Sequence, residues 1–247
     1  MSLLGAAALL AGLFLTAGAG TRSTSENVFC RSNFRHLGEA WQSYALDHTS
    51  RLIGTPAGAD TSRGREVWAT GFVSWDVQLG GNDEQSVLTP AFVPYVGRDP
   101  RVFRCPADRY LSPIQVSRRW RARVRSYSMN GYFGSESFNI GTLRQFIRME
   151  DVPDPAGYFV LLEEHPDSIN DPTFFTAVQG PSGWTDWPGS FHERSANFLF
   201  ADAHVETHRW ESERTVVPVR YQFPGVTPSG RDPDFRWAYA RTSIVGP

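Results

Sequence analysis

The sequence predicts an α+β chain: an N-terminal helix, apolar at first and amphipathic further on, packed on a mostly antiparallel β-sheet. Three observations carry that prediction. Ser2 to Thr21 has no charged residue and is dominated by Leu, Ala and Gly. Phe34, Leu37, Trp41 and Tyr44 then recur at helical spacing within a stretch from about Val28 to Asp47. Ala196 to Ala201 is apolar on both alternating faces, Phe198 and Phe200 on one and Leu199 and Ala201 on the other. That is the pattern of a strand covered on both sides.

The last stretch reads as the first arm of a hairpin. Asp202-Ala203 interrupts the apolar run and Val205 to Trp210 resumes with alternation, as a returning strand would. Earlier in the chain, Gly54 to Gly64 reads as loop. Phe72 to Val77 is rich in strand formers and reads as a strand or a short helix, and Glu84 to Val96 reads as a short helix interrupted by Pro90 and Pro94. Arg118 to Arg125 alternates, with Arg119, Arg121, Arg123 and Arg125 on one side and Trp120, Ala122 and Val124 on the other. This suits the solvated face of a half-buried strand, or a basic face for phospholipid headgroups or an acidic partner. Thr142 to Met149 is expected to be helical and Tyr158 to Leu162 a buried strand. Trp184 and Trp187 are expected as packed aromatics in a Gly/Pro loop.

Composition bounds the function. A chain of 247 residues is long enough for one large domain with an anchor, here residues 1–21 and 22–247. A net charge of -2 argues against general nucleic-acid binding. All 24 basic residues are arginine, a completeness that no single site explains and that reads as genomic base composition. The uncharged segment is about long enough to span a hydrocarbon core. It also fits a signal peptide, because Ala17-Gly18-Ala19 satisfies the small-x-small cleavage rule, although no positive residue precedes the apolar core.

Candidate chemistry is sparse. His204, Glu206 and His208 alternate along one strand face and form a candidate metal set, to which His192 or Asp202 adds a ligand; the plain alternative is a polar face on an exposed strand. His192 and Asp202 are placed to pair across the hairpin base. Catalysis would still need a nucleophile, and neither Ser190 nor Ser195 sits in a Gly-x-Ser-x-Gly elbow. The expected role of the pair is structural, with Asp202 accepting backbone N–H groups in its turn. Phosphate-binding Gly-rich loops, His-Glu-x-x-His and Cys-x-x-Cys arrangements are absent from the sequence.

His192, nine intervening residues and Asp202 resemble the His-x9-Asp-Gly signature of the prepilin-type, processing-associated C-terminal family. That family comprises bacterial pseudopilin-like proteins related to type II secretion and type IV pili. Three further stretches are similar to its motifs and occur in the same order. They are the helix from Cys30 through Asn33, Gly38, Ala40 and Tyr44 to Asp47, the turn Val102-Phe-Arg-Cys-Pro-Ala-Asp108, and the strand Ser126-Tyr-Ser-Met-Asn130 with Gly131. The segment Asp232 to Trp237 is similar to the tail of some members. Two departures stand out. Ala203 occupies the place of the family's Gly, so a turn other than the usual Asp-Gly type is expected. The Gly-Phe-Thr-Leu-Ile-Glu processing sequence, counted back from Cys30, would fall ahead of Met1.

The resemblance implies a pilin-like head, a pseudopilin role in the cell envelope and no catalytic activity. It favours reading the uncharged segment as the back half of a pilin-type membrane helix, and it places the chain in the inner membrane with a periplasmic head, or exported. The implied partners are the membrane and other pilin-like subunits or secretion components, with no nucleic acid. Export would permit a Cys30–Cys105 disulfide, which would close a loop of about 75 residues and contribute roughly 4 kcal/mol; two unrelated buried thiols are the alternative. Some major pseudopilins hold calcium in a C-terminal loop, and Asp167, Asn170 and Asp171 offer oxygen ligands here. Two other functional classes stay open: an exported carbohydrate- or protein-binding module that uses the Trp-rich loops, and an exported metal-dependent hydrolase around His192, Asp202 and His204.

Overall fold

The computed structural model describes residues 3–56, 66–77, 83–134, 143–178, 182–225, 227–228 and 230–245, with residues 3–22 and 227–228 described for their backbone alone. Helix α1 runs from Leu3 to Asp47, 45 residues without interruption. It passes straight through the Ser/Thr-rich link at 21–25, because each such residue costs only tenths of a kcal/mol against a propagating helix. The expectation of an anchor or signal segment at 1–21 rests on side chains outside the described residues. Among the described residues, no helix is long and apolar enough to cross a membrane. The helix stops where Thr49 and Ser50 take left-handed φ values of 55° and 63°, and the Ser50 N–H closes onto the Ala45 carbonyl at 2.8 Å.

The main sheet is built from β1 (Tyr127–Asn130), β2 (Phe159–Glu163), β3 (Thr173–Phe174), β5 (Ser195–Phe200) and β6 (Val205–Arg209), in the order β3-β1-β2-β5-β6. Only β1 and β3 pair in parallel; the other neighbours are antiparallel. A small second ribbon pairs β4 (Gly183–Trp184) with β7 (Thr227–Pro228). The fold is therefore α+β, with α1 packed on a mixed, mostly antiparallel five-strand sheet.

Both faces of the sheet are covered, as the apolar pattern of β5 requires. On one face Leu199 and Ala201 join Cys30, Phe34, Leu37, Trp41 and Tyr44 of α1 in the larger core. On the other, Phe198 and Phe200 join Trp184, Trp187, Trp210 and Phe235. The last of these comes from α4 (Pro233–Tyr239), whose N-cap Asp232 accepts from the N–H groups of Asp234 and Phe235. At Gly38 the helix backbone comes so near the sheet that an added Cβ would lie 2.7 Å from Leu199 Cδ1 and 3.3 Å from the Ala203 methyl.

Several local expectations are corrected. Phe72 to Val77 forms neither a strand nor a helix. Between Glu84 and Val96 there is only a 3-10 turn at Glu84–Ser86 and a single helical turn, α2 (Val93–Val96); Pro90 lies between them, and Pro94 is accommodated in the first turn of α2. Residues 143–148 are extended rather than helical, with bridges from Phe146 to Phe133 and from Arg148 to Arg51; tertiary pairing overrides their local propensity. A short helix, α3 (Pro113–Ser117), precedes the arginine-rich stretch, opened by a capping box between Ser112 and Gln115. The stretch itself, 118–125, is not a regular strand, and its arginines do not share a solvated face. Arg123 and Arg125 are buried instead. Arg123 reaches Asp108 at 3.0 Å and the Pro166 carbonyl, while Arg125 donates to the Tyr127 carbonyl and to Ser128 Oγ.

The hairpin turn keeps its glycine-like geometry without glycine. Ala203 sits at φ 69°, its N–H bonded to the Phe200 carbonyl at 2.9 Å. The alanine thus adopts the left-handed conformation that glycine takes freely, while Asp202 does not share it, so the turn is not the two-residue Asp-Gly kind with positive φ at both positions.

Candidate functional site: a buried cluster of two thiols, a carboxylate and an imidazole

The four stretches that suggested a family resemblance converge on one place. The α1 stretch contributes Cys30, the Val102–Asp108 turn Cys105, β1 Tyr127 and the loop before β5 His192. The end of β2 adds Glu163 at their centre. Cys30, Cys105 and Glu163 have no exposed surface and His192 only 4%. One ligand atom from each of these four lies within 4.8 Å of the other three. The arrangement follows from local structure: Cys30 lies on the α1 face turned to the sheet, and Asn33, one turn on, donates to the Arg104 carbonyl at 3.1 Å, holding the cysteine turn against the helix.

Glu163 organises the site. Its Oε1 accepts from the Cys30 thiol at 2.7 Å and from His192 Nε2 at 2.9 Å, and its Oε2 accepts from the Asn197 N–H at 2.7 Å. Tyr127 OH lies 3.0 Å from Cys30 Sγ, and Cys105 Sγ lies 3.4 Å from the same His192 Nε2. Burial pushes the Cys30 thiol up to about 11, with the neighbouring carboxylate adding to the rise and the Cys105 contact opposing it. Burial likewise holds Cys105 and Tyr127 well above their ordinary values. For His192 burial acts downward, but the Glu163 carboxylate and the Cys105 contact outweigh it and raise the ring to about 10.

This geometry does not form a nucleophilic triad. A triad needs the nucleophile on one ring nitrogen and the orienting carboxylate on the other. Here Cys105 and Glu163 both approach Nε2, while Nδ1 is buried with no hydrogen-bond partner among the described residues. A thiol raised by burial is also the opposite of an activated one.

The residues singled out from sequence fare differently. The sulfurs of Cys30 and Cys105 lie within 4.8 Å of each other, and both are free thiols. His192 and Asp202 do not pair. Asp202 turns outward and bonds His204, Oδ1 to Nδ1 at 2.6 Å, and accepts the His204 N–H at 3.0 Å, the turn role expected of it. The candidate metal set His204, Glu206 and His208 is not gathered about one point. His204 stacks on Phe200 at 4.4 Å, and His208 stacks on Trp237 at 3.7 Å with Glu206 at 4.0 Å from its Nδ1. Alternation placed these residues on one face, but aromatic neighbours took up the imidazoles.

The calcium expectation meets the same outcome. Asp167 accepts from Trp75 Nε1 and from the Arg220 N–H, Asn170 Oδ1 from the Asp171 N–H, and Asp171 Oδ1 from the Thr173 N–H, so these oxygens serve the protein's own donors. Trp184 and Trp187 are core residues, 1% and 2% exposed, the packed aromatics expected, and these two offer no surface to a carbohydrate.

Glu163 was missed by sequence reasoning. Its one signal was a carboxylate continuing the apolar run Phe159 to Leu162, where burial would demand partners. No protein family, curated protein or solved structure matches this chain.

Proposed function

We propose that this chain is a non-enzymatic, pseudopilin-like component of the cell envelope, whose apolar N-terminal helix bundles with those of neighbouring subunits and whose head presents its loops outward. The observation that supports this reading is the continuity of α1, one helix of 45 residues that carries the uncharged N-terminal segment and the stripe packed on the sheet. At 1.5 Å per residue it is about 68 Å long, far longer than the sheet it covers. Where it leaves the head it exposes Val28 and Phe29, 61% and 66% accessible, which suits helix-to-helix packing.

The test is in-cell photo-crosslinking from a reactive residue placed at Phe29, with membrane fractionation. A membrane-bound chain cross-linked to a second copy or to another pilin-like subunit is expected. A soluble monomer cleaved near Ala19 would defeat the proposal and return the exported binding module to first place.

A further inference from the structure

We infer that Cys30, Cys105, Glu163 and His192 form a closed, four-ligand site for a zinc-class divalent metal ion. Two sulfurs, one imidazole nitrogen and one carboxylate oxygen are the donor types and the number that zinc takes in structural sites. Around a tetrahedral zinc, neighbouring ligand atoms lie about 3.2 to 3.8 Å apart, given bonds of about 2.3 Å to sulfur and about 2.0 Å to nitrogen or oxygen. Here Cys105 Sγ to His192 Nε2 is 3.4 Å, His192 Nε2 to Glu163 Oε1 is 2.9 Å and Cys30 Sγ to Glu163 Oε1 is 2.7 Å. Opening the shortest of these by somewhat under about 1 Å admits the ion.

The surroundings are arranged to support such ligands. The Asn197 N–H holds Glu163 Oε2, which leaves Oε1 to face the centre. Tyr127 OH lies beside Cys30 Sγ, where it can donate to a thiolate. His192 would ligate through Nε2 with its remaining proton on Nδ1. Entry of the ion sends the two thiol protons and the Nε2 proton of the His192 imidazolium to solvent, with no change of oxidation state.

The burial of all four ligands decides the role. A catalytic zinc keeps one position open to water or substrate, whereas these protein atoms fill all four positions. The ion is therefore structural: it pins α1, the cysteine turn, the end of β2 and the loop before β5 to one point. The inference is independent of the envelope role proposed above.

The experiment uses the full chain in detergent, reduced and handled without air, then supplied with zinc and freed of excess. Elemental analysis should give about one zinc per chain, held by a structural site of this kind. Cobalt in its place should show tetrahedral visible bands and thiolate-to-metal charge transfer. Chelation should lower the melting temperature and expose both thiols to alkylation, and zinc should restore both. Cys105→Ser should lose the zinc and the charge-transfer band, whereas His204→Ala should keep them. If Cys105→Ser does not fold, the wild-type chelation and cobalt measurements decide. Reduced wild type that takes up no zinc overturns the proposal, whether its cysteines then stay as thiols or close into a Cys30–Cys105 disulfide on exposure to air.

Discussion

Glu163 Oε1 lies 2.7 Å from Cys30 Sγ, a contact across 133 residues that joins the first helix to a central strand of the sheet. Because the carboxylate also holds His192 and the Asn197 N–H, its removal strands three groups at once. Breaking a buried charged network by deleting one partner costs about 3–5 kcal/mol. Glu163→Ala should lose that much in urea unfolding, and Glu163→Gln, which keeps one acceptor, should lose about 1–2 kcal/mol. A loss below about 1 kcal/mol in the alanine variant would show that the cluster contributes little to the fold.

Ala203 occupies a left-handed position that is unfavourable for any residue with a Cβ. Ala203→Gly relieves about 1 kcal/mol of backbone strain and should raise the melting temperature by a few degrees. Its methyl packs near Gly38, so an unchanged or lower melting temperature would mean that this contact outweighs the strain.

Gly38 sets how closely α1 approaches β5. An added Cβ would lie 2.7 Å from Leu199 Cδ1, and Leu199 is fully buried with nowhere to retreat. Gly38→Val should therefore cost about 1–3 kcal/mol by overpacking, measured by denaturant titration. Gly38→Ala should fare better, since helix propensity returns up to about 1 kcal/mol.

Asp186 gives stability a pH dependence. Burial, with a smaller push from Asp171, raises its carboxyl to about 7, while the bond from the Phe175 N–H acts to lower it. The fold prefers the protonated acid, so the stability it contributes is complete below the unfolded carboxyl pKa near about 4 and is lost as pH rises through about 7. Unfolding free energy should fall between those limits, by an order of a few kcal/mol. Asp186→Asn keeps an acceptor for Phe175 and should flatten that fall; an unchanged slope would assign it to Glu164, which burial also raises.

How much of this was readable in advance depended on distance along the chain. The α1 stripe and the doubly covered β5 were legible because periodicity is a local property and each element is apolar toward whatever covers it. Where local signals conflicted with distant pairing they failed: residues 143–148 read as helix and fold as extended chain. Arg123 and Arg125 read as a solvated face and are buried, because Asp108 and nearby carbonyl groups come to meet them.

The candidate site divides along the same line. Cys30, Cys105 and His192 stood out in the sequence, each in its own stretch, and the hairpin with its Asp202 turn was legible as a hairpin. Their convergence was not. Cys105 meets His192 across 87 residues and Cys30 meets Glu163 across 133, separations over which no periodicity carries information. Sequence determined the first helix, the doubly covered strand β5 with its hairpin, and the faces these bury. Only the packing of α1 against β2 and β5 decided that a lone carboxylate, two thiols and an imidazole would share one buried site, because burial there left them one another, Tyr127 and the Asn197 N–H as polar partners.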